Sequence, residues 1–434
     1  MLRSERIAMK AVGIDIGTTS ICGIVLDVES AKVIKTCTKN SDSFMYGGES
    51  FESIQDVDKI IKTATEILDS FIDDDVKAIG VTGQMHGIVY YDGNANAISP
   101  LYTWQDKRGD LPYNGTTYAK ALNSFTGYGN VTDFYNRQNG LVPEGAAGYC
   151  TIHDYLVMKL CGLKKALIHS SDAASFGCYD VVKCRFDYDC DITVISDYHI
   201  AGYYKGIPVS VAIGDNQASV LSTLTDENDV LINVGTGSQV SVISDVAVTA
   251  ENIESRPYVE GKYLVVGSAL CGGRAFSLLK DFYSEILSYA ADVNDSQVYK
   301  IMDAMLEKAD ETTLKVDTRF AGTRADPSLR GAVTNISTGN LNASQLTHGV
   351  LNGMVSELYG MYELMNFKAS GVVGSGNGVR KNKKLVEIIE KRFGGKVKMP
   401  AHFEEASLGA AIFALVSSGA FKNAKEAQRL VKYQ

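Results

Sequence analysis

The chain has 434 residues, 45% of them hydrophobic and 21% charged, with a net charge of −9. That length and balance suit two or three globular domains, each large enough to bury a core. The acidic excess argues against a nucleic-acid or anionic-membrane partner, since both need a basic face, but it leaves room for a phosphate held by backbone N–H groups and a metal.

The first ten residues, MLRSERIAMK, are charged, and Asp15 breaks the apolar run behind them, so they do not read as a signal peptide. Met9 is an alternative start. No stretch reads as a membrane span. Eight cysteines occur without a C-x-x-C pair. They read as free thiols in a reducing, cytoplasmic setting rather than as a metal or redox site.

In chain order, VGIDIGTTSICGIVLD (12–27) reads as strand, tight turn, strand. IQDVDKIIKTATEILDSF (54–71) has apolar residues at 54, 57, 60, 61, 64, 67, 68 and 71, the spacing of an amphipathic helix. VKAIGVTG (76–83) reads as a buried strand. In IPVSVAIGDNQAS a strand ends at Gly214-Asp215 and a helix follows. VLINVGTGSQVSVISD (230–245) reads as a second hairpin. Further on come a helix at 350–367, a strand at 369–374, and helices at 381–393 and 406–419.

The two hairpins lie 218 residues apart and share six of sixteen residues. A weaker echo links GVTGQMHG (80–87) to GVVGSGNG (371–378). Similarity at half the chain length implies two related α/β domains, here 1–213 and 214–434.

Turn N–H groups and hydroxyls are good phosphate ligands. The candidates are Gly17, Thr18, Thr19 and Ser20 in the first turn and Gly235, Thr236, Gly237 and Ser238 in the second. Asp15, beside the first turn, can hold Mg²⁺ directly or through water. Its counterpart is Asn233. One metal-side carboxylate suffices, and a second would repel phosphate. There is no G-x-x-x-x-G-K-[ST] and no G-x-G-x-x-G after a strand, so neither a P-loop nor a dinucleotide fold is supported. Gly374, Ser375, Gly376 and Asn377 form a Gly-rich stretch that reads as an adenosine-side loop or as a plain turn. Asp215 could cap its helix or serve as a base. His86 and Trp104 could meet a sugar or belong to the core, and Gln105, Asp106 and Arg108 could supply polar contacts.

Together GIDIGTTS, INVGTGSQV and GVVGSGNGVRKN resemble the two phosphate motifs and the adenosine motif of the FGGY carbohydrate kinases. FAGTRADPSLRGAVTNIS (320–337) resembles that family's E-R…P…R-G segment, with Thr323 in place of the Glu. The resemblance implies two ribonuclease-H-like domains of the actin-like ATPase class with a cleft between them. It further implies ATP and Mg²⁺ as cofactors and a sugar or polyol as acceptor. VTGQMHGIVYYD, LYTWQDKR, VAIGDNQASVL, TIHDYLVMKL and SSDAASFG resemble the ketose branch, nearest the sedoheptulokinases, with xylulokinases next; Lys107 stands where a Gly is usual.

On that resemblance Asp215 is the catalytic base and, with Asp15, a metal ligand. Gln84, Met85, His86, Trp104, Gln105, Asp106, Arg108 and Asp215 bind the sugar. Trp104 is expected to respond to sugar more than to ATP. A homodimer is compatible with the family. The rival readings are a kinase for another ketose or polyol and a non-catalytic, nucleotide-dependent sugar sensor.

Overall fold

The computed structural model describes residues 9–308, 311–324 and 326–434. The extension before Met9, and Ala325 of the 320–337 segment, lie outside the described residues. The chain divides into two compact units. One runs through Thr225 and takes in Arg256–Tyr263 and His402–Lys432; the other comprises Asp226–Ser255, Leu264–Ala401 and the last two residues.

In the first unit, β1 (Lys10–Ile16) and β2 (Ser20–Asp27) form the expected hairpin, with Asp15 opposite Cys22 and Ile16 opposite Ile21. β3 (Lys32–Asn40) extends it. Helix α1 (Val57–Asp69) is shorter than its apolar pattern because Asp56 caps it, accepting the Lys59 N–H, while Ile54–Gln55 is a short strand. The chain then returns as β4 (Val76–Gly83), parallel to β1 and matching the expected strand residue for residue.

α2 (Ile152–Cys161) and the short α3 (Ser170–Ser175) follow. Beyond three short strands between residues 179 and 195, the main sheet gains β5 (Ile200–Tyr204), β6 (Ile207–Ser210) and the two-residue β7 (Ile213–Gly214). The sheet order is β5-β6-β4-β1-β2-β3, and β7 also pairs with β4. α4 (Asp215–Thr223) starts directly at the end of β7.

In the second unit, β8 (Asp229–Val234) and β9 (Ser238–Ser244) form the second hairpin. β10 (Ile253–Pro257) and β11 (Tyr263–Ala269) lead to α5 (Gly273–Ser288). α6 (Ala343–Leu364) is capped by Asn342 and buries Val350, Leu351, Met354, Val355, Leu358 and Met361. β12 (Gly371–Ser375), α7 (Gly376–Lys381), α8 (Lys383–Phe393) and β13 (Val397–Lys398) follow, and the sheet order is β10-β11-β9-β8-β12-β13. In both sheets a hairpin is flanked on one side by a parallel strand, β4 beside β1 and β12 beside β8. The echo between 80–87 and 371–378 therefore falls on equivalent strands.

The expected division at residue 213/214 is corrected. The first crossing comes after Thr225, and the second half of the sequence is not one unit. The reason lies in α9 (Glu405–Ser417), which is apolar around almost its whole circumference and buried on nearly every side. It lies against the first sheet where Gly13 and Gly80 present bare backbone, and a Cβ at either position would collide with the helix. Ser407 Oγ donates to the Cys22 carbonyl and Ser222 Oγ to that of Glu405, which ties α9 to β2 and α4. No helix among the described residues is long and apolar enough to cross a membrane.

Candidate active site

The first turn is built into a polar network with the segments expected to bind sugar. Thr18 Oγ1 donates to Gln84 Oε1 at 3.3 Å and accepts from Trp104 Nε1 at 3.0 Å. Gln55 completes the ring, donating to the Thr18 carbonyl at 2.7 Å and accepting from Gln84 Nε2 at 2.9 Å. Trp104 keeps 46% of its surface exposed, so its ring face is open while its N–H is anchored. Thr19 is exposed, Gly17 and Ser20 are half-buried, and the Thr19 carbonyl accepts the Ser41 N–H. Because Trp104 is bonded to the Thr18 hydroxyl, a ligand at the first turn should perturb it as well as one at its open ring face, so the expectation of a response mainly to sugar widens to one in which ATP acts too.

His86 has a φ of +75°, unusual for a residue with a Cβ. Its ring stacks on Tyr128 with centroids 4.2 Å apart, and Nδ1 meets the Ser175 carbonyl at 2.8 Å. Met85 is buried, and its thioether crowds Gly214, just before Asp215. Gln105 is exposed.

Asp106 and Arg108 depart from the sugar-contact expectation. Both are buried, and their polar atoms bind one another and the scaffold. Asp106 accepts from Arg108 Nε at 2.7 Å, from Arg108 Nη2 and Ser53 N at 3.1 Å, and from Arg108 N at 3.0 Å. Arg108 Nη1 donates to Asn136 Oδ1 at 2.7 Å, and the guanidinium lies 4.3 Å from the Tyr102 ring centroid. A guanidinium with its fork already filled acts as a brace for the loop carrying Trp104 rather than as an open donor.

Asp15 lies near the end of β1 and Asp215 just past the end of β7, the two strands that flank β4. Asp15 pairs in register with Thr82 of β4, whose hydroxyl donates to the Ile213 carbonyl at 2.6 Å. Asp215 opens α4, but Gly214 occupies the N-cap position and makes no side-chain cap bond, so Asp215 is not the helix cap. Both carboxylates are partly open to solvent. Lost hydration, then the charge of Asp215, pushes Asp15 up to about 7, against a lowering by His153. Lost hydration also raises Asp215, opposed by His153 and Arg256. Each carboxylate is held back from ionising by burial, and in the case of Asp15 also by its neighbour, which is the setting a dication relieves and in which a carboxylate is a stronger base.

Beneath them lies a buried group that sequence reasoning had not assigned. His153 Nε2 contacts Asp172 Oδ1 at 3.0 Å, and Asp154 lies beside them, taking the Thr151 hydroxyl at 2.6 Å. Ligand atoms of these three residues lie within 4.8 Å of one another. Burial alone would lower His153, but the Asp172 carboxylate outweighs it and takes the imidazole up to about 9. Asp154 is pushed to about 8 by burial and then by Asp172. In the sequence TIHDYLVMKL and SSDAASFG carry only the ketose-branch resemblance; His153 and Asp172 are 19 residues apart, on a helix and a separate short segment, with no local signal that their polar side chains converge.

In the second unit the turn closes through Gly235 N–H to the Gly237 carbonyl at 2.9 Å. Thr236 is exposed, and the buried Ser238 hydroxyl has no hydrogen-bond partner among the described residues. The first turn of α5, also missed by the sequence reading, rests on this hairpin: Gly273 and Arg274 N–H groups donate to the Gly235 and Thr236 carbonyls at 2.9 and 3.0 Å. Asn233, the counterpart of Asp15, donates to Ser375 Oγ at 3.0 Å.

The stretch 374–377 is not an extended loop. β12 runs through Ser375, and α7 begins at Gly376, where φ is +83°. Gly376 and Gly378 lack side chains because Val234 of β8 lies against them, and Gly374 faces Val379 and Val397. The close approach is thus by the protein's own strand. A cavity of about 680 Å³ in this unit is lined by residues such as Lys315, His348 and Lys391 and includes none of the turn residues.

Two similar domains, each with a small-residue hairpin turn beside a parallel strand, and an Asp at a strand-to-helix junction match the two-domain plan that the sequence resemblance implies. The family models agree: the FGGY carbohydrate kinase N-terminal domain matches residues 10–113 and the C-terminal domain matches 230–418. The chain belongs to the FGGY family of carbohydrate kinases and is an ATP-dependent sugar kinase.

It is 28% identical to a sedoheptulokinase of Mus musculus over 88% of this chain and 92% of that protein. A ligand-bound xylulose kinase from Lactobacillus acidophilus superposes with a TM-score of 0.81 at 17% identity, over 98% of this chain and 93% of that one. A Plasmodium falciparum glycerol kinase with ADP gives 0.78 at 17% identity, over 98% and 92%.

Proposed function

We propose that this kinase transfers the γ-phosphoryl group of ATP to the primary hydroxyl of a ketose, with sedoheptulose as the preferred acceptor and xylulose as the second. The acceptor is argued from the mouse sedoheptulokinase likeness over nearly the whole chain and from the T-W-Q-D segment. The site reading is supported by one observation: Thr18 of the first turn is hydrogen-bonded at once to Gln84 and Trp104, as expected if the turn binds phosphate and these two side chains face the sugar beside it.

In this reading Asp215 accepts the hydroxyl proton as the sugar oxygen forms its bond to the γ-phosphorus, and the bond from phosphorus to the ADP oxygen breaks. Asp215 is suited to this because burial raises its proton affinity while Gly214, fixed through its N–H to Ser171 Oγ at 2.9 Å, holds the helix start. Trp104 offers a ring face to sugar C–H groups. Gln84 and His86 line the same segment, with Met85, Asp106 and Arg108 as its supports. Residues 17–20 and 235–238 take phosphates, and Asn233 braces Ser375 beside the adenosine segment.

Mg²⁺ is assigned to Asp15 and Asp215 because both are partly open oxygen donors at the ends of strands flanking β4, and a hard cation would relieve the repulsion between their charges. Bound with the nucleotide, it would screen the charge on the transferring group. The test is Asp215→Asn, assayed by ADP release across a panel of ketoses, aldoses and polyols. A general base contributes ~10²–10⁴-fold, and kcat should fall by that order with nucleotide binding kept. Near-normal kcat would reject Asp215 as the base, and an aldose or polyol at the head of the panel would reject the ketose assignment.

A further inference from the structure

We propose that His153 is a positioning residue for the transfer step: an imidazolium clamped by Asp172 under the strand ends that carry Asp15 and Asp215, fixing both carboxylates by its charge. This rests on the reading of Asp215 as the base.

The placement follows from the sheet register. Gly83, the last residue of β4, pairs with Ile16 on one side and Gly214 on the other. These are the residues next to Asp15 and Asp215. A Cβ on Gly83 would stand 3.1 Å from His153 Nδ1, so the ring occupies the space that the missing side chain leaves, below the point where the two aspartate-bearing strands flank β4. The ring is fully buried. Neither of its nitrogens has a well-aligned hydrogen-bond partner among the described residues, and the 3.0 Å approach to Asp172 is an ion-pair contact. Asp172, fully buried with its carboxylate 3.0 Å from the ring, would face a neutral imidazole with no counter-charge at that distance, whereas a cation pairs with it.

The charged groups around the ring leave it that role. Asp172 faces it from α3, Asp154 from its own helix, and Asp215 from the start of α4; Asp15, on β1, feels its charge in turn. Arg256 acts on Asp215, and Glu404 adds a further negative charge near Asp15. His169, which precedes α3, supplies no charge: burial lowers it to about 4, and its Nδ1 meets the Ser171 hydroxyl at 2.8 Å. Ser171 in turn accepts the Gly214 N–H, so the segment that clamps His153 also anchors the Asp215 turn.

Two measurements test the assignment. Histidine-labelled NMR of the wild-type chain, followed from pH 6 to 9.5, should show one of the six imidazoles still doubly protonated above pH 8. A spectrum in which all six are neutral by pH 8 overturns the proposal whether or not any variant folds. In kinetics, His153→Gln should lower kcat by about 100-fold with sugar KM changed less than threefold, and His153→Lys, which restores a cation, should recover about tenfold of that loss. Equal kcat in the Gln and Lys variants would overturn it. The NMR result is independent of turnover, so a failure of Asp215 as the base would appear in the Asp215→Asn assay and leave this test readable.

Discussion

Replacing Arg108 by Lys separates a brace from a substrate ligand. The guanidinium makes two bonds to Asp106 at 2.7 and 3.1 Å and one to Asn136 at 2.7 Å, lies over Tyr102 at 4.3 Å, and is 2% exposed. A lysine keeps the charge but can fill one of those positions at a time and loses the planar fork. Hydrogen bonds to charged groups are worth about 1.5–3 kcal/mol each, so a net loss of roughly 3 kcal/mol is expected after relaxation. For a domain of this size that lowers Tm by roughly 6–12 °C. Thermal and urea unfolding would read the loss. Asp106→Asn with Arg108→Lys should show a coupling of about 1–3 kcal/mol, because the two side chains share one network. Turnover at saturating sugar should fall only modestly, since Trp104 shifts but the reacting groups stay. An unchanged Tm together with a collapse in kcat/KM would refute the brace and return Asp106 and Arg108 to the sugar.

Asp15→Ala should raise the Mg²⁺ requirement and depress kcat, whereas Asn233→Ala, which removes one bond to Ser375, should cost about 1 kcal/mol in nucleotide affinity; equal damage in Mg²⁺ titrations would mean the two turns have not divided their roles. Trp104 is the only tryptophan, so its emission has one source, and both sugar and ATP should change it through the Thr18 contact; silence with a ketose that supports ADP release would place it outside the site. The His153–Asp172 pair predicts a pH effect on stability. A histidine raised from 6.5 to about 9 contributes fully below pH 6.5 and loses that contribution as pH climbs through 9, an effect of roughly 3 kcal/mol. Asp15 and Asp154, also raised, act in the same direction at lower pH. Urea unfolding at pH 7 and 9.5 should show the drop, and Asp172→Asn should flatten it.

Local chemistry made part of this protein legible in its sequence. Alternating apolar residues closed by G-T-T-S and G-T-G-S dictate hairpins, and the strand at 76–83 is apolar enough to be buried wherever it pairs. The repeat determined that two domains share one plan, and the turns and Asp215 stand out because small residues and a carboxylate at strand ends are costly without a use. Other features depend on which strands lie side by side. The extent of the first domain was hidden because α9 lies almost 400 residues from β1, and only the bare backbone at Gly13 and Gly80 lets the two meet. Asp106 and Arg108 read as open polar groups until Asn136, Tyr102 and Ser53 enclose them. The glycines at 376 and 378 read as space for a ligand until Val234 fills it. His153 has no local pattern at all: its charge is set by Asp172 and its place by the missing side chain of Gly83, and long-range pairing alone brings those three together.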